Sequence, residues 1–116
     1  MQVGIQSPAT PAARDGHQTC VVPPRLLALF GGESATGLLS DTWIGHVDDS
    51  GDLTWRQSTT TVSPAARWQH SLNLLQGQLF LFGGETELGC VNDTWMGEAC
   101  AIRETARHAE HVEGCR

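Results

Sequence analysis

The chain copies itself. Pro11-Ala12-Ala13-Arg14, two residues and then His17 return as Pro64-Ala65-Ala66-Arg67, two residues and then His70, at an offset of 53. Leu27-x-Leu29-Phe30-Gly31-Gly32-Glu33 returns as Leu79-x-Leu81-Phe82-Gly83-Gly84-Glu85 at an offset of 52, so one residue is lost between His70 and Phe82. Asp41-Thr42-Trp43-x-Gly45 returns as Asp93-Thr94-Trp95-x-Gly97, again at 52. Across the two aligned blocks, 5 of 7 and 11 of 20 positions are identical, where chance at ordinary composition would give about 2 in all. Such a chain builds one supersecondary unit twice and stacks the copies. With 116 residues, there is room for one small domain made of those copies and for little else.

The runs inside each copy predict strands. Gln18 to Val22 and Ser71 to Leu75 are short, apolar-rich and bounded by turn residues. Leu26 to Phe30 and Leu79 to Phe82 are nearly continuous apolar runs that stop at Gly-Gly. They are too short for helices and read as strands covered on both faces. Pro23-Pro24 and Gln76-Gly77 are the turns between them. Asp41 to Val47 and Asn92 to Gly97 follow Gly-rich loops, and Leu53 to Ser58 follows the turn Asp48-Asp49-Ser50-Gly51-Asp52. That makes four strands per period, and a period near 50 residues points to an all-β, propeller-type array.

The phase of the repeat sets the expected boundaries. Shifted back by 53, Trp55 falls opposite Gln2, so the alternating Met1 to Gln6 is read as a degenerate copy of the Leu53 to Ser58 strand. On this reading residues 1–52 form a first four-stranded antiparallel sheet and 53–97 a second. Residues 98–116 are a tail, helical or disordered, with Ala99, Ile102, Ala106, Ala109 and Val112 at helical spacing.

The combined motif resembles the kelch repeat, the blade of kelch β-propellers. Arg14 and His17 lead to Gly31-Gly32, then Trp43, then Trp55; Arg67 and His70 lead to Gly83-Gly84, then Trp95. The second copy lacks the last aromatic, since Arg107 stands 52 residues after Trp55. Each position has a physical reading. In each glycine pair one residue takes positive φ and the other admits a neighbouring strand. The indoles fill the wedge between adjacent sheets. Arg14, Arg67, His17 and His70 bond loop carbonyls or stack on those indoles. All are read as structural.

Propellers close about four to eight blades, and this chain supplies two. Two stacked sheets leave two outer faces bare. Three situations follow: a piece of a longer propeller, self-association to complete a ring, or a sticky monomer.

Composition removes several functions. Thirteen acids against seven bases give a net charge of −6, against nucleic-acid binding and against a polybasic membrane role. No apolar run approaches the length of a membrane span. Met1 to Pro8 lacks secretory character, which with four cysteines in no CxxC pair predicts reduced thiols and a cytoplasmic setting. His108, His111 and Cys115 form H-x2-H-x3-C without a fourth ligand and are read as solvated. There is no GxSxG, HExxH or GxxxxGK[ST], and no patterned calcium loop. Asp41 and Asp93 precede Trp at strand starts and are read as turn caps. Glu33 and Glu85 follow Gly-Gly and are read as accepting from loop N–H groups.

Some propellers resembling this family are enzymes. Their copper sites use tyrosines, of which this chain has none, and their iron sites use a Glu-x3-Asp-x3-His set, also absent. No catalytic, metal or cofactor residue is therefore assigned. The resemblance implies a non-enzymatic protein-binding module that presents loops to a protein partner. Pro23-Pro24, Gln76-Gly77 and Asp48 to Asp52 fall at one end of the blades, because antiparallel strands send alternate connections to opposite ends. Asp48, Asp49 and Asp52 would favour a basic partner there. Two alternatives remain: part of a propeller enzyme whose site lies outside this segment, and a truncated product without independent function.

Overall fold

The structure, a computed structural model, describes residues 10–58 and 63–98. Among these every regular element is a strand. β1 (Gln18–Val22), β2 (Leu26–Phe30), β5 (Thr42–Val47) and β6 (Leu53–Gln57) form one antiparallel sheet in the order β1-β2-β5-β6. β7 (Ser71–Leu75), β8 (Gln78–Phe82) and β11 (Thr94–Glu98) form a second, in the order β11-β8-β7. Two small hairpins escaped the sequence reading: β3 (Glu33–Ser34) with β4 (Gly37–Leu38), and β9 (Glu85–Thr86) with β10 (Gly89–Cys90). Each follows a Gly-Gly pair.

The strands form where the apolar runs lie, and the turns have the chemistry they need. Gln76 and Gly77, at φ +52° and +78°, make the two-residue turn between β7 and β8. Both central residues of this hairpin type carry positive φ, which matches the twist of the flanking strands.

The pairing corrects the expected boundary at Leu53. β6 does not open the second sheet; it closes the first, paired with β5 from Trp43↔Gln57 to Val47↔Leu53. The reason is the turn. The Asp48 N–H donates to the Asp52 carbonyl and the Gly51 N–H to the Asp48 carbonyl, both at 3.0 Å, and so tight a turn returns the chain onto its own predecessor. The first sheet is thus complete over 18–57, and the second holds three strands among the described residues. Counted 52 on from β6, its matching strand falls at 105–109, outside the described residues. The readings of Met1 to Gln6, of the tail and of His108, His111 and Cys115 lie outside them too.

The two sheets stack through opposite faces. Register puts Cys20, Val22, Leu26, Ala28, Phe30 and Ile44 on one face of the first sheet. Leu72, Leu74, Leu79 and Leu81 share the facing side of the second. Val22, Leu26, Ala28, Ile44 and Leu79 form the buried cluster, with Cys20, Leu72 and Leu74 packed against it. Burying a Val, Leu or Ile side chain contributes about 1.5–3 kcal/mol, so this seam holds the sheets together. The buried cluster itself holds no indole, but register pairs Trp95 with Leu81, on the side of the second sheet turned toward the first. Trp43 pairs across from Leu29, and alternation therefore puts it on the face turned away from the second sheet.

Candidate binding surface

Each copy builds the same polar joint beside its sheet. Arg14 donates from Nη1 to Asp41 Oδ1 at 2.6 Å and from Nη2 to Asp41 Oδ2 at 3.0 Å. Its Nη1 also reaches the Gly31 carbonyl, and its Nε the Ala12 carbonyl. Arg67 repeats the set on Asp93, at 2.6 and 2.9 Å, and on the carbonyls of Gly83 and Ala65. The indoles complete it: Trp43 Nε1 donates to Asp41 at 2.8 Å and Trp95 Nε1 to Asp93 at 2.9 Å.

The arginines therefore bond loop carbonyls as expected, but they fork carboxylates rather than stack on rings. A planar guanidinium matches a carboxylate with two parallel bonds. Asp41 and Asp93 are the partners of this fork, not simple turn caps. The signal was present: each Arg returns with its Asp and its Trp. Burial disfavours the ionised Asp41, and the bonds from Arg14 and Trp43 outweigh it, so its pKa lies below the ordinary value. The Arg67 bond, helped by that from Trp95, holds Asp93 well below the usual carboxylate range. Both pairs stay ionised at neutral pH.

The glycine pairs use positive φ at both positions, not at one. All four residues have positive φ: +73° and +103° at Gly31 and Gly32, +68° and +101° at Gly83 and Gly84. A Cβ on Gly32 would stand 2.9 Å from the Asp15 carbonyl, and one on Gly84 2.9 Å from the Trp68 carbonyl. Those two carbonyls belong to short bridges, Asp15↔Glu33 and Trp68↔Glu85. The Glu85 carboxylate accepts from the Trp68 indole at 3.2 Å rather than from a loop N–H.

The histidines are packing residues. His70 lies edge-on to Phe30 with ring centroids 5.5 Å apart. Neither of its ring nitrogens makes a well-formed hydrogen bond. Burial pushes its pKa down, the neighbouring Arg67 and His17 act in the same direction, and only the Phe30 backbone opposes them. His17 has one such buried nitrogen, Nδ1. Trp55 lies over Gly45, whose Cβ would stand 3.1 Å from its ring.

The acidic loop is partly committed to its own turn. Asp48 Oδ1 accepts from the N–H groups of Ser50 and Asp52, each at 2.9 Å. Asp49 is 94% exposed and pairs with the half-exposed Arg25 at 2.8 Å. Arg25 belongs to the turn after β1, and the Val47 N–H donates to its carbonyl at 3.0 Å. The β1–β2 and β5–β6 turns thus lie side by side at one end of the first sheet. Among the described residues no three His, Cys, Asp or Glu side chains gather as a metal site. No helix among them is long and apolar enough to cross a membrane.

An incomplete array of antiparallel blades, each locked by an Arg–Asp–Trp joint beside a Gly-Gly turn, defines a partial β-propeller. The KLHDC2/KLHL20/DRC7 Kelch-repeats domain matches residues 3–107, and the chain belongs to the kelch-repeat family. It is 32% identical over 96 residues to an F-box/kelch-repeat protein of Arabidopsis thaliana, covering 80% of this chain and 20% of that one. It is 34% identical over 97 residues to Adagio-like protein 3 of Oryza sativa subsp. japonica, covering 82% and 15%. It is 35% identical over 85 residues to human Kelch domain-containing protein 3, covering 70% and 21%. The chain thus spans about a fifth or less of these relatives. Kelch repeats are in general protein–protein interaction modules.

Proposed function

We propose that this chain is a non-enzymatic interaction module that presents the β1–β2 and β5–β6 turns to a protein partner with a basic surface. The observation that supports it most is Asp49, almost fully exposed on a loop that a bonded turn holds rigid. Asp52 stands beside it, half-buried. Arg25 offsets one charge at this end, so the partner must compete for Asp49 or bring more than one cation. The free thiols of Cys20 and Cys90 fit a reducing compartment such as the cytoplasm.

The test is charge reversal. Asp49→Lys with Asp52→Lys leaves the Asp48 cap in place. Rim charges act chiefly on the association rate and its salt dependence. With a purified partner first captured by the wild-type chain, the double variant associates more slowly and with a flatter salt dependence. Unchanged association kinetics would remove this end of the sheet from the partner site.

A further inference from the structure

The seam between the sheets has a direction. The glycine edge of the first sheet receives the segment that leads into the second. The Gly32 N–H donates to the Arg67 carbonyl at 2.8 Å, and the Arg67 N–H donates to the Leu39 carbonyl at 3.2 Å. The Gln69 N–H donates to the Gly16 carbonyl at 2.7 Å. Gly31 leaves room for the Arg67 carbonyl and the His70 ring, which a Cβ would meet at 2.7 and 2.9 Å.

Both halves of this joint occur a second time, uncovered. At one end, Gly83, Gly84 and Val91 repeat Gly31, Gly32 and Leu39. Among the described residues the Gly84 N–H and the Val91 carbonyl have no counterpart to the two bonds with Arg67. A Cβ on Gly83 would meet only the Val91 carbonyl, at 3.3 Å. The face beside them is bare: Leu75, Phe82 and Met96 are 61%, 51% and 62% exposed, where their equivalents Val22, Phe30 and Ile44 are 0%, 4% and 2%.

At the other end stands Arg14 to His17, the same leader with the same arginine and histidine. The Arg14 side chain is 3% exposed, yet the residue as a whole is not buried. Its exposure therefore lies in the backbone, the part that at Arg67 bonds the neighbouring sheet. Val21, equivalent to Leu74 of the seam, is 62% exposed.

We infer that the outer face of the second sheet takes the first sheet of another copy of this chain, head to tail. The occupant is a second copy because the leader that fits the Gly83–Gly84 edge is the chain's own, and the internal seam is its template. In that joint the second copy's Arg14 carbonyl accepts from the Gly84 N–H, its Arg14 N–H donates to the Val91 carbonyl, and its Val21 packs against β7, as Leu74 packs against β1 inside the chain. Such an interface is heterologous, so copies close a ring or extend, according to the rotation. Rings of about four to eight sheets would hold about two to four copies. Each copy carries a net charge of −6, so added salt strengthens the assembly by screening repulsion.

The test is sedimentation of the full chain up to about 1 mM, where weak contacts register. The mass rises above that of one 12.5 kDa chain and rises further with salt. Val21→Lys and Met96→Lys alter exposed positions at opposite ends, and each variant alone stays at one chain with an unchanged far-UV spectrum. Their equimolar mixture forms a two-chain species, because one good head meets one good tail. Wild type at one chain throughout overturns the proposal. So does a mixture that fails to pair although both variants are folded, or either single variant dimerising alone. Met96→Lys lies on β11, away from the β1–β2 and β5–β6 turns, so a failure to assemble leaves the partner-binding reading standing.

Discussion

Alanine at the four glycines of the repeat separates what the seam requires from what the turn requires. Gly31 and Gly83 occupy the same repeat position with φ of +73° and +68°. A side chain in the left-handed region costs about 1–2 kcal/mol, and the stiffer unfolded chain returns about 0.4–1 kcal/mol. Gly83→Ala should thus cost about 1 kcal/mol, since its Cβ has a single neighbour at 3.3 Å. Gly31→Ala meets the same backbone term and a second one. Its Cβ would sit 2.7 Å from the Arg67 carbonyl, which the Gly32 N–H and the buried Arg67 fork hold in place. Overpacking of this kind adds about 1–3 kcal/mol. The second glycines are the control. Gly32 and Gly84 each face their own leader's carbonyl at 2.9 Å, so alanine there costs the same in both copies. Urea unfolding followed by tryptophan fluorescence reads the four values. It is done in the Met96→Lys background, which keeps the outer face of the second sheet uncovered. With an m-value of about 1–3 kcal/mol/M, the first pair differs in midpoint by roughly 1 M and the second pair coincides. Equal losses at Gly31 and Gly83 would refute a seam built on that close approach.

Two further outcomes follow from the buried groups. The folded-state pKa of His70 is lowered, so the unfolded chain binds the extra proton. Stability is full above about pH 6.5 and falls as the pH drops below it, by at most about 1.4 kcal/mol per pH unit. Thermal melts from pH 8 down to pH 5 check this, and His70→Phe removes the slope over that window. Among the described cysteines, Cys90 is exposed, while Cys20 is half-buried with a thiol pKa raised by burial. A thiol reagent followed by peptide mapping should label Cys90 first, and equal rates would contradict the packing of Cys20 against the seam.

Much of this fold is legible because strand, turn and repeat agree. β1, β2 and β7 run over the residues that the apolar pattern marks, and Gly-Gly ends the runs where the backbone needs positive φ. The boundary at Leu53 was not legible, because periodicity is blind to phase: a repeat of 52 residues has the same offset wherever a sheet begins. Only the tightness of the Asp48–Gly51 turn decides that Leu53–Gln57 goes back rather than on. The indoles divide by alternation: Trp95 stands with Leu81, on the face toward the first sheet, and Trp43 with Leu29, on the first sheet's other face. The Arg–Asp fork was missed because its members lie 27 and 26 residues apart, and no local pattern joins them.

The two copies also measure what a neighbouring sheet supplies. Phe30, Ile44 and Val22 are covered where Phe82, Met96 and Leu75 are not, and the covering is worth about 1.5–3 kcal/mol for each large side chain. Within one chain that gain meets almost no loss of translational freedom, since a short connection holds the partner sheet at about millimolar effective concentration. Between separate copies it must offset about 4–15 kcal/mol of association entropy. Three side chains and a pair of backbone bonds come close to that figure without greatly exceeding it. The joint between copies is therefore weak, with dissociation well above the nanomolar range, although its geometry is that of a seam that is stable inside the chain. Joining two copies in tandem by a flexible linker should move the same contact from weak to saturated. A tandem chain in which Met96 of the first copy and Val21 of the second stay open to solvent, by fluorine NMR of labels there, would show that the two faces do not fit.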